Sequence, residues 1–332
     1  MRLVLFVFAL FGSVVAAPVS AGPGAPVAPT EVMVGDQLPY AYFATPEGEG
    51  PFPVVILLGG SEGGDGGSRS SAPRFLEQGY AILGLPYYSP GYLPPERQLP
   101  DLPEAFDAIP LEKLAMAREW LRSRDDVKGD GIGLYGVSKG AEFVLAGASL
   151  IDGFAAVVAI VPSDVIWEGW GPGIGPDQVS SFSWQGQPLP YVPYLGMEEE
   201  FKKYAIPGAK VRLRTPQDAG RRANPGRVPA ARIRVEDIDE PVLVAGGDAD
   251  DTWNSGGMAQ TIAERRAEKG GLETVALIFP GATHALSGPG VQRPEGQPQY
   301  DEATLAAQQQ VWPATLRFLA RHLKGEDPSS TQ

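Results

Sequence analysis

The chain has 332 residues, including 42 Gly, 33 Pro, two His and no Cys, and its formal net charge is −13 at pH 7. The lack of cysteine excludes disulfides, thiolate nucleophiles and cysteine zinc sites, and two histidines are too few for a histidine-rich metal centre. The acidic balance argues against nucleic-acid binding, which needs a basic surface that displaces counterions from phosphates. The remaining chemistry depends on hydroxyl nucleophiles, carboxylates and at most two imidazoles.

The first 21 residues have the pattern of an export signal. Arg2 precedes an apolar run over residues 3–17, which is short for a membrane span and is followed by small residues ending at Ala21. We expect a signal peptide cleaved near Ala21, with Ala16 as the alternative site and an uncleaved anchor as the competing interpretation. The mature protein is then periplasmic or secreted, with no stable membrane insertion.

The body of the chain alternates short β-branched runs with helical patterns, which is typical of a mainly parallel sheet with helices on both faces. Strands are predicted over residues 31–34, 38–44, 53–58, 81–85, 132–137, 155–161, 242–245 and 275–279. Helices are predicted over residues 72–78, 111–122, 139–150 and 252–268, and over a final segment with Pro313 near its start. We expect a linker at residues 22–30, one domain at 31–325 with an inserted cap at about 164–235, and a flexible tail at 326–332.

The segment Gly136-Val137-Ser138-Lys139-Gly140 matches G-x-S-x-G, in which glycines permit a sharp strand-to-helix turn that exposes the serine hydroxyl. A second copy has Ser61 in the serine position. Ser138 stands between an apolar strand and an apolar helix, whereas Ser61 leads into GGDGGS, which is not expected to begin a helix. Ser138 is therefore the predicted nucleophile, with a structural turn as the alternative. The backbone amides of Ser61 and Lys139 are the predicted oxyanion hole.

The base is chosen between two histidines. His322 falls in the final helix, whereas His284 follows the strand VALIF in the loop PGATHA, and active sites of parallel sheets form at the carboxyl ends of strands. We therefore predict His284 as the base, with a buried structural imidazole as the alternative.

The acid is expected between serine and histidine in chain order. Asp248, Asp250 and Asp251 follow the strand VLVA. A calcium loop starting at Asp248 would need Gly at its sixth and Glu at its twelfth position, where Trp253 and Ala259 stand. We favour Asp250 as the acid, Asp251 as a helix cap and Asp248 as the fallback. A Ser-Asp-His triad needs neither a metal nor an organic cofactor.

Several longer strings, in this order, resemble one known family. They are LPEAFDAIPLEKLAMAREWL, YGVSKGAEFVLAGAS, WQGQPLPYVPY, PVLVAGGDADDTWNS, PGATHALSGPG and RPEGQ. Over about residues 52–323 the chain resembles the C-terminal hydrolase domain of the acyl-CoA thioester hydrolase and bile acid-CoA:amino acid N-acyltransferase family. The resemblance implies an α/β-hydrolase fold and the same assignments of Ser138, Asp250 and His284.

The sequence departs from that family in three ways. The roughly twenty residues between the linker and Phe52 are too few for the β-sandwich domain of the animal members. The amino-acid transferring members use a Cys nucleophile, whereas this chain has Ser and no Cys. The predicted export signal separates the enzyme from cytosolic CoA esters. We therefore expect hydrolysis of a small-molecule ester or thioester. An acyltransferase, a serine peptidase and a non-catalytic binding protein on the same fold remain alternatives.

The predicted cap leaves further alternatives open. Residues 202–234 contain ten Lys and Arg against one Asp, which indicates either an anion-attracting rim for acidic substrates or CoA phosphates, or, as we favour, a solvated segment balanced by acidic neighbours. Glu142 either polarises a substrate group or, as we favour, complements the helix dipole. The aromatic residues of the cap form either an acyl pocket or a small core; they are Trp167, Trp170, Trp184, Tyr191 and Tyr194.

Overall fold

A computed structural model describes residues 31–326, so the predicted signal peptide, the linker and most of the predicted tail lie outside the described residues. The strands in chain order are β1 (Glu31–Met33), β2 (Tyr42–Ala44), β3 (Phe52–Leu58), β4 (Ala81–Gly84), β5 (Ile109–Pro110), β6 (Val127–Val137), β7 (Ala156–Ile160), β8 (Phe182–Trp184), β9 (Gln187–Pro188), β10 (Val242–Gly247) and β11 (Thr274–Phe279). The helices are α1 (Gly66–Leu76), α2 (Glu112–Arg122), α3 (Lys139–Ala148), α4 (Met197–Lys202), α5 (Arg214–Ala223), α6 (Val228–Ala231), α7 (Ser255–Lys269) and α8 (Glu302–Leu319).

Eight strands form one sheet in the order β1-β2-β4-β3-β6-β7-β10-β11. The pairs from β4 to β11 are parallel, whereas β1 and β2 form an antiparallel edge. Parallel strands need crossover connections, which here bring α1, α3 and α7 back across the sheet. The carboxyl ends of β3, β6, β10 and β11 therefore lie at one edge, where the loops that follow them meet.

The central strands are buried on both faces, as their unbroken apolar runs predict. Val157 and Ala159 of β7 pack into the core under α2, α3 and α7, whereas Val158 and Ile160 pack into the core under α1 and α8. Each core is therefore built from alternate residues of the same strands.

The helices α1 and α8 differ most from the sequence prediction. The glycine segment does begin a helix, because α1 starts at Gly66, six residues before the predicted start. A Cβ atom on Gly67 would lie 2.9 Å from the Cα of Gly59, so the start of α1 approaches the loop after β3 more closely than larger residues allow. This tertiary contact overrides the low helix propensity of glycine. Pro313 lies inside α8 rather than near its start, since α8 begins after Asp301, whose side chain caps it.

The connection between β7 and β10 spans residues 161–241 and carries α4, α5, α6, β8 and β9. A small sheet in the order β5-β8-β9 joins it to the segment before α2. An isolated bridge between Val165 and Arg232 draws its two ends together. Among residues 31–326, no helix combines the length and apolar character required to cross a membrane.

Candidate active site

Ser138 lies at a strained turn between β6 and α3. Its backbone has φ 57° and ψ −120°, a conformation that costs energy for a residue with a side chain and is often found at functional sites. A Cβ on Gly136 would lie 2.2 Å from the Gly140 carbonyl oxygen, and one on Gly140 would lie 2.3 Å from that of Gly59. Neither glycine of the motif can be replaced by a residue with a Cβ atom unless the backbone moves, because a carbonyl oxygen lies too close.

The predicted site residues from three loops meet in one hydrogen-bonded chain. Nε2 of His284 lies 2.9 Å from Oγ of Ser138, and its Nδ1 lies 2.7 Å from Oδ2 of Asp250. With the ring proton on Nδ1, the imidazole donates to Asp250 and its free Nε2 accepts the serine hydroxyl proton. The other histidine, His322, instead contacts Glu273 at 3.2 Å on the final helical segment.

The three aspartates after β10 have different partners. Asp250 is fully buried, and its Oδ1 accepts the backbone amides of Thr252 and Trp253. Asp248 accepts the amide of Gly281 and thereby joins this loop to the histidine loop. The expectation that Asp251 caps the next helix is wrong: α7 begins three residues later than predicted, and Asn254 is its cap.

Two residues that sequence reasoning missed support Asp250. Ser255 Oγ donates to Asp250 Oδ2 at 2.6 Å and accepts the amide of Gly247 at 3.1 Å. Arg214, the first residue of α5, donates to the carbonyls of Asp248 and Asp250 at 2.9 and 3.3 Å. The spacing of five residues between Asp250 and Ser255 was visible in the sequence, but the contact with Arg214 depends on how the insertion packs.

The loop after β3 lies against the nucleophile, as expected for an oxyanion loop. A Cβ on Gly60 would lie 2.9 Å from Ser138 Cβ. The Gly60 amide is already bound, because it donates to Glu62 Oε1 at 2.9 Å. The neighbouring Ser61 is half-buried, and its carbonyl accepts the Tyr92 hydroxyl at 2.7 Å. The amide of Lys139 opens α3 and has no carbonyl partner within that helix.

The side chains of Lys139 and Glu142 form a buried ion pair beside the nucleophile. Glu142 lies in the first turn of α3, as the favoured helix-dipole interpretation expects, but its pairing with Lys139 was not predicted from the sequence. Lys139 Nζ lies 2.8 Å from Glu142 Oε2 and 2.9 Å from Ser181 Oγ, and Glu142 Oε1 accepts the Trp167 amide at 3.0 Å. Burial lowers the pKa of Lys139 and raises the pKa of Glu142, and each charge opposes the other's shift. The pair fastens α3 to the insertion.

The basic segment is largely paired, which agrees with the balanced interpretation. Seven of its ten cationic side chains lie within 4.0 Å of a carboxylate; they are Lys202, Lys203, Arg212, Arg214, Arg221, Arg227 and Arg234. Most of these pairs are at least partly exposed, so each contributes little to stability, but together they reduce the free positive charge of the segment.

The aromatic residues of the insertion pack mainly as core. Trp167 is fully buried and stacks on Tyr194 with ring centroids 5.5 Å apart, next to Trp253. Trp170, Trp184 and Tyr191 pack against the larger core of the sheet. The small-core expectation therefore describes Trp167 and Tyr194, whereas the other three residues extend the core of the sheet, which neither expectation foresaw.

Solved structures with similar folds identify the class of the protein. An α/β-hydrolase enzyme from a Medee basin deep-sea metagenome library aligns with a TM-score of 0.51 over 89% of this chain and 98% of its own, at 14% identity. A puromycin-hydrolysing peptidase of Mycobacterium tuberculosis aligns with a TM-score of 0.53 over 88% of this chain and 38% of its own, at 17% identity. The chain has the α/β-hydrolase fold, and that prediction is confirmed.

The sequence narrows the class to one family. The family model described as BAAT / acyl-CoA thioester hydrolase C terminal matches residues 109–292, more than half of the chain, so the chain belongs to this family. Acyl-coenzyme A thioesterase 5 of Mus musculus is 28% identical over 85% of this chain and 62% of its own length. Mitochondrial acyl-coenzyme A thioesterase 2 of the same species is 30% identical over 74% of this chain and 48% of its own. The chain thus spans about half to three fifths of these relatives.

Proposed function

We propose that the protein is an exported serine acyl hydrolase that cleaves ester or thioester bonds of small molecules through an acyl-serine intermediate. The observation that carries the proposal is the hydrogen-bonded chain Ser138–His284–Asp250, with separations of 2.9 and 2.7 Å. These are the contacts that an activated nucleophile needs with its base, and the base with its orienting acid. Membership of a thioester hydrolase family supports the same reaction type.

In the proposed first step, His284 removes the proton from Ser138 Oγ as that oxygen attacks the substrate carbonyl. The new C–O bond forms a tetrahedral oxyanion, which accepts hydrogen bonds from the backbone amides of Lys139 and Ser61. Collapse breaks the bond to the leaving oxygen or sulfur, and His284 transfers its proton to that atom. Water then attacks the acyl carbon while His284 takes one of its protons. Collapse of this second tetrahedral intermediate breaks the bond between the acyl carbon and Ser138 Oγ, the imidazolium returns its proton to that oxygen, and the acid is released. Asp250 holds the imidazole in the required tautomer throughout.

A fluorophosphonate probe tests the nucleophile, because the two copies of the serine motif provide a matched pair of variants. We expect the probe to label wild type and Ser61→Ala, which keeps its backbone amide, but not Ser138→Ala. Likewise, His284→Asn should abolish labelling, whereas His322→Asn should retain it. Labelling of Ser138→Ala at the wild-type rate would refute the assignment.

The bond cleaved is tested by comparing p-nitrophenyl esters of several chain lengths, an acyl-CoA and a peptide p-nitroanilide. We expect kcat/KM for the ester or thioester to exceed that for the anilide by at least about a hundredfold, because p-nitrophenolate and a thiolate are better leaving groups than an aniline and the anilide carbonyl is less electrophilic. If only the anilide is cleaved, the chain is a peptidase and the ester assignment is wrong.

Export is proposed from the sequence of the first 21 residues alone. Expression of the full chain in a bacterial host, followed by fractionation and N-terminal sequencing, should recover a product that begins just after Ala21 or Ala16. A cytoplasmic product that retains Met1 would overturn this part of the proposal.

A further inference from the structure

Glu62 brings a carboxylate close to the nucleophile without any part in the proposed proton relay. A Cβ on Gly60 would lie 2.9 Å from Glu62 Oε2 and the same distance from Ser138 Cβ. Glu62 Oε2 and Ser138 Cβ therefore lie no more than twice 2.9 Å apart. The carboxylate is within reach of an acyl group bonded to Ser138.

Contacts with the backbone of neighbouring glycines hold the carboxylate of Glu62 in this position. Oε1 accepts the Gly60 amide at 2.9 Å, and a Cβ on Gly59 or Gly67 would lie only 2.4 or 2.3 Å from the same oxygen. Three glycines thus make room for the carboxylate. The residue as a whole is exposed on one side, whereas its carboxylate oxygens face this glycine-walled slot. A surface side chain that moves freely would not require three glycines around it.

The charge of Glu62 is not cancelled by a direct partner. Among the ion pairs of residues 31–326, none includes Glu62. The titratable groups that act on it are His284 and Arg97, which favour its charged form, and Glu62 in turn acts on the phenols of Tyr87 and Tyr92. Removal from water opposes the charged form and raises the pKa of the carboxyl.

A fixed negative charge beside Ser138 affects acyl groups differently according to their own charge. The tetrahedral oxyanion is itself negative, so a carboxylate nearby opposes its formation and a second negative charge on the acyl group adds to the cost. A positive charge on the acyl group, two bonds from the carbonyl carbon, would lie roughly 5 Å from Ser138 Cβ, since single bonds are about 1.5 Å long. In an acyl group directed towards Glu62, such a charge would offset the penalty.

We propose that Glu62 is a specificity-determining residue that makes the site prefer acyl donors with a positive charge next to the scissile carbonyl over donors with a negative charge there. This inference rests on the proposed function, because it concerns the acyl group held at Ser138. It names the substrate class by charge: esters or thioesters of short cationic acids.

The test uses three p-nitrophenyl esters whose acyl groups differ mainly in charge: trimethylammonioacetyl, the isosteric neutral 3,3-dimethylbutanoyl, and the anionic malonyl half-ester. The ratio of kcat/KM for cationic over neutral ester is compared between wild type and Glu62→Gln, which keeps an oxygen for the Gly60 amide. Intrinsic reactivity cancels in this comparison. We expect the ratio to fall about tenfold in Glu62→Gln, and the neutral-over-anionic ratio to fall in the same direction. Glu96→Gln, which removes an exposed carboxylate, is the control and should leave both ratios unchanged.

A second measurement needs no variant. The cationic ester carries its charge at every pH, so acidification should reduce the wild-type ratio as the Glu62 carboxyl, whose pKa is raised, becomes protonated. The ratio should therefore fall as the pH is lowered. If the ratios in Glu62→Gln stay within about twofold of wild type, or the wild-type ratio does not fall on acidification, the proposal is wrong. If all three esters are inert and the fluorophosphonate probe does not label Ser138, the proposed function itself has failed; if the probe labels Ser138 and the ratios are unchanged, only the charge preference has failed.

Discussion

The buried pair Lys139–Glu142 allows a quantitative prediction about stability. Its side chains are only 4% and 0% exposed, so replacing one partner leaves the other as an uncompensated charge in the core. Removal of one partner of such a pair costs about 3–5 kcal/mol, whereas replacing both charges together is often neutral. We expect Lys139→Met and Glu142→Gln each to lower the free energy of unfolding by about that amount, and the double variant to recover most of the loss.

The residual contacts explain why recovery is expected. In the double variant, the side-chain amide introduced by Glu142→Gln still offers an oxygen to the Trp167 amide, which Glu142 accepts at 3.0 Å, and the methionine fills most of the volume left by the lysine. Ser181 loses the ammonium but keeps its donor bond to the Glu168 carbonyl.

Urea unfolding followed by far-ultraviolet circular dichroism measures the free energy of unfolding of the three variants and of wild type. The slope of this free energy against urea concentration should be the same in all four proteins, which verifies that the unfolding transition is unchanged. A coupling energy of about 3 kcal/mol or more is expected from the double-mutant cycle. If the double variant loses the sum of the two single losses, the pair does not act as a unit and the reasoning fails. The reasoning also fails if Lys139→Met and Glu142→Gln each lower the free energy of unfolding by less than about 1 kcal/mol.

Three further predictions concern individual positions. Ser255→Ala removes the hydrogen bond to the Asp250 carboxylate, and a hydrogen bond to a charged group is worth about 1.5–3 kcal/mol. We therefore expect kcat to fall roughly tenfold to a hundredfold with little change in KM. An unchanged kcat would exclude a positioning role for Ser255. Gly136→Ala places a Cβ 2.2 Å from a backbone oxygen and should lower the free energy of unfolding by at least about 3 kcal/mol, as followed by thermal melting. Gly226→Ala, which has open space around it, is the control and should be nearly neutral. Equal melting temperatures for the two variants would contradict the packing argument. Arg266→Met leaves four backbone carbonyls without their donor, two of them in buried hydrogen bonds, and should destabilise by about 3 kcal/mol. The folded fraction should keep the wild-type probe-labelling rate, and lost labelling in folded protein would mean that the site depends on Arg266.

The sequence predicted the parts of the site that local order determines. Ser138 follows the buried central strand β6 and His284 follows the half-buried edge strand β11, and because both strands are parallel, their loops meet at one edge of the sheet. Asp250 was chosen from three neighbouring aspartates, and the structure brings that one within 2.7 Å of the imidazole.

Other parts depend on contacts between distant segments, which no local pattern encodes. The start of α1 at Gly66 requires the approach of the loop after β3, and a glycine-rich segment alone predicts only a loop. The same approach creates the slot for Glu62, which sequence reasoning passed over. The pairing of the basic segment was predicted only in part, because most of its acidic partners are not the neighbouring glutamates: Arg221 pairs with Asp164 and Arg227 with Asp177.

The contact of Arg214 with the loop of Asp250 has a consequence for protein engineering. The insertion between β7 and β10 supplies, through this one guanidinium, two hydrogen bonds to the backbone around the acid. An insertion transplanted from another member of the fold to change the substrate would remove that support at the same time. Grafts that keep α5 in register with the chain after β10, and an arginine at position 214, are therefore the ones in which substrate choice can be altered separately from the geometry of the acid.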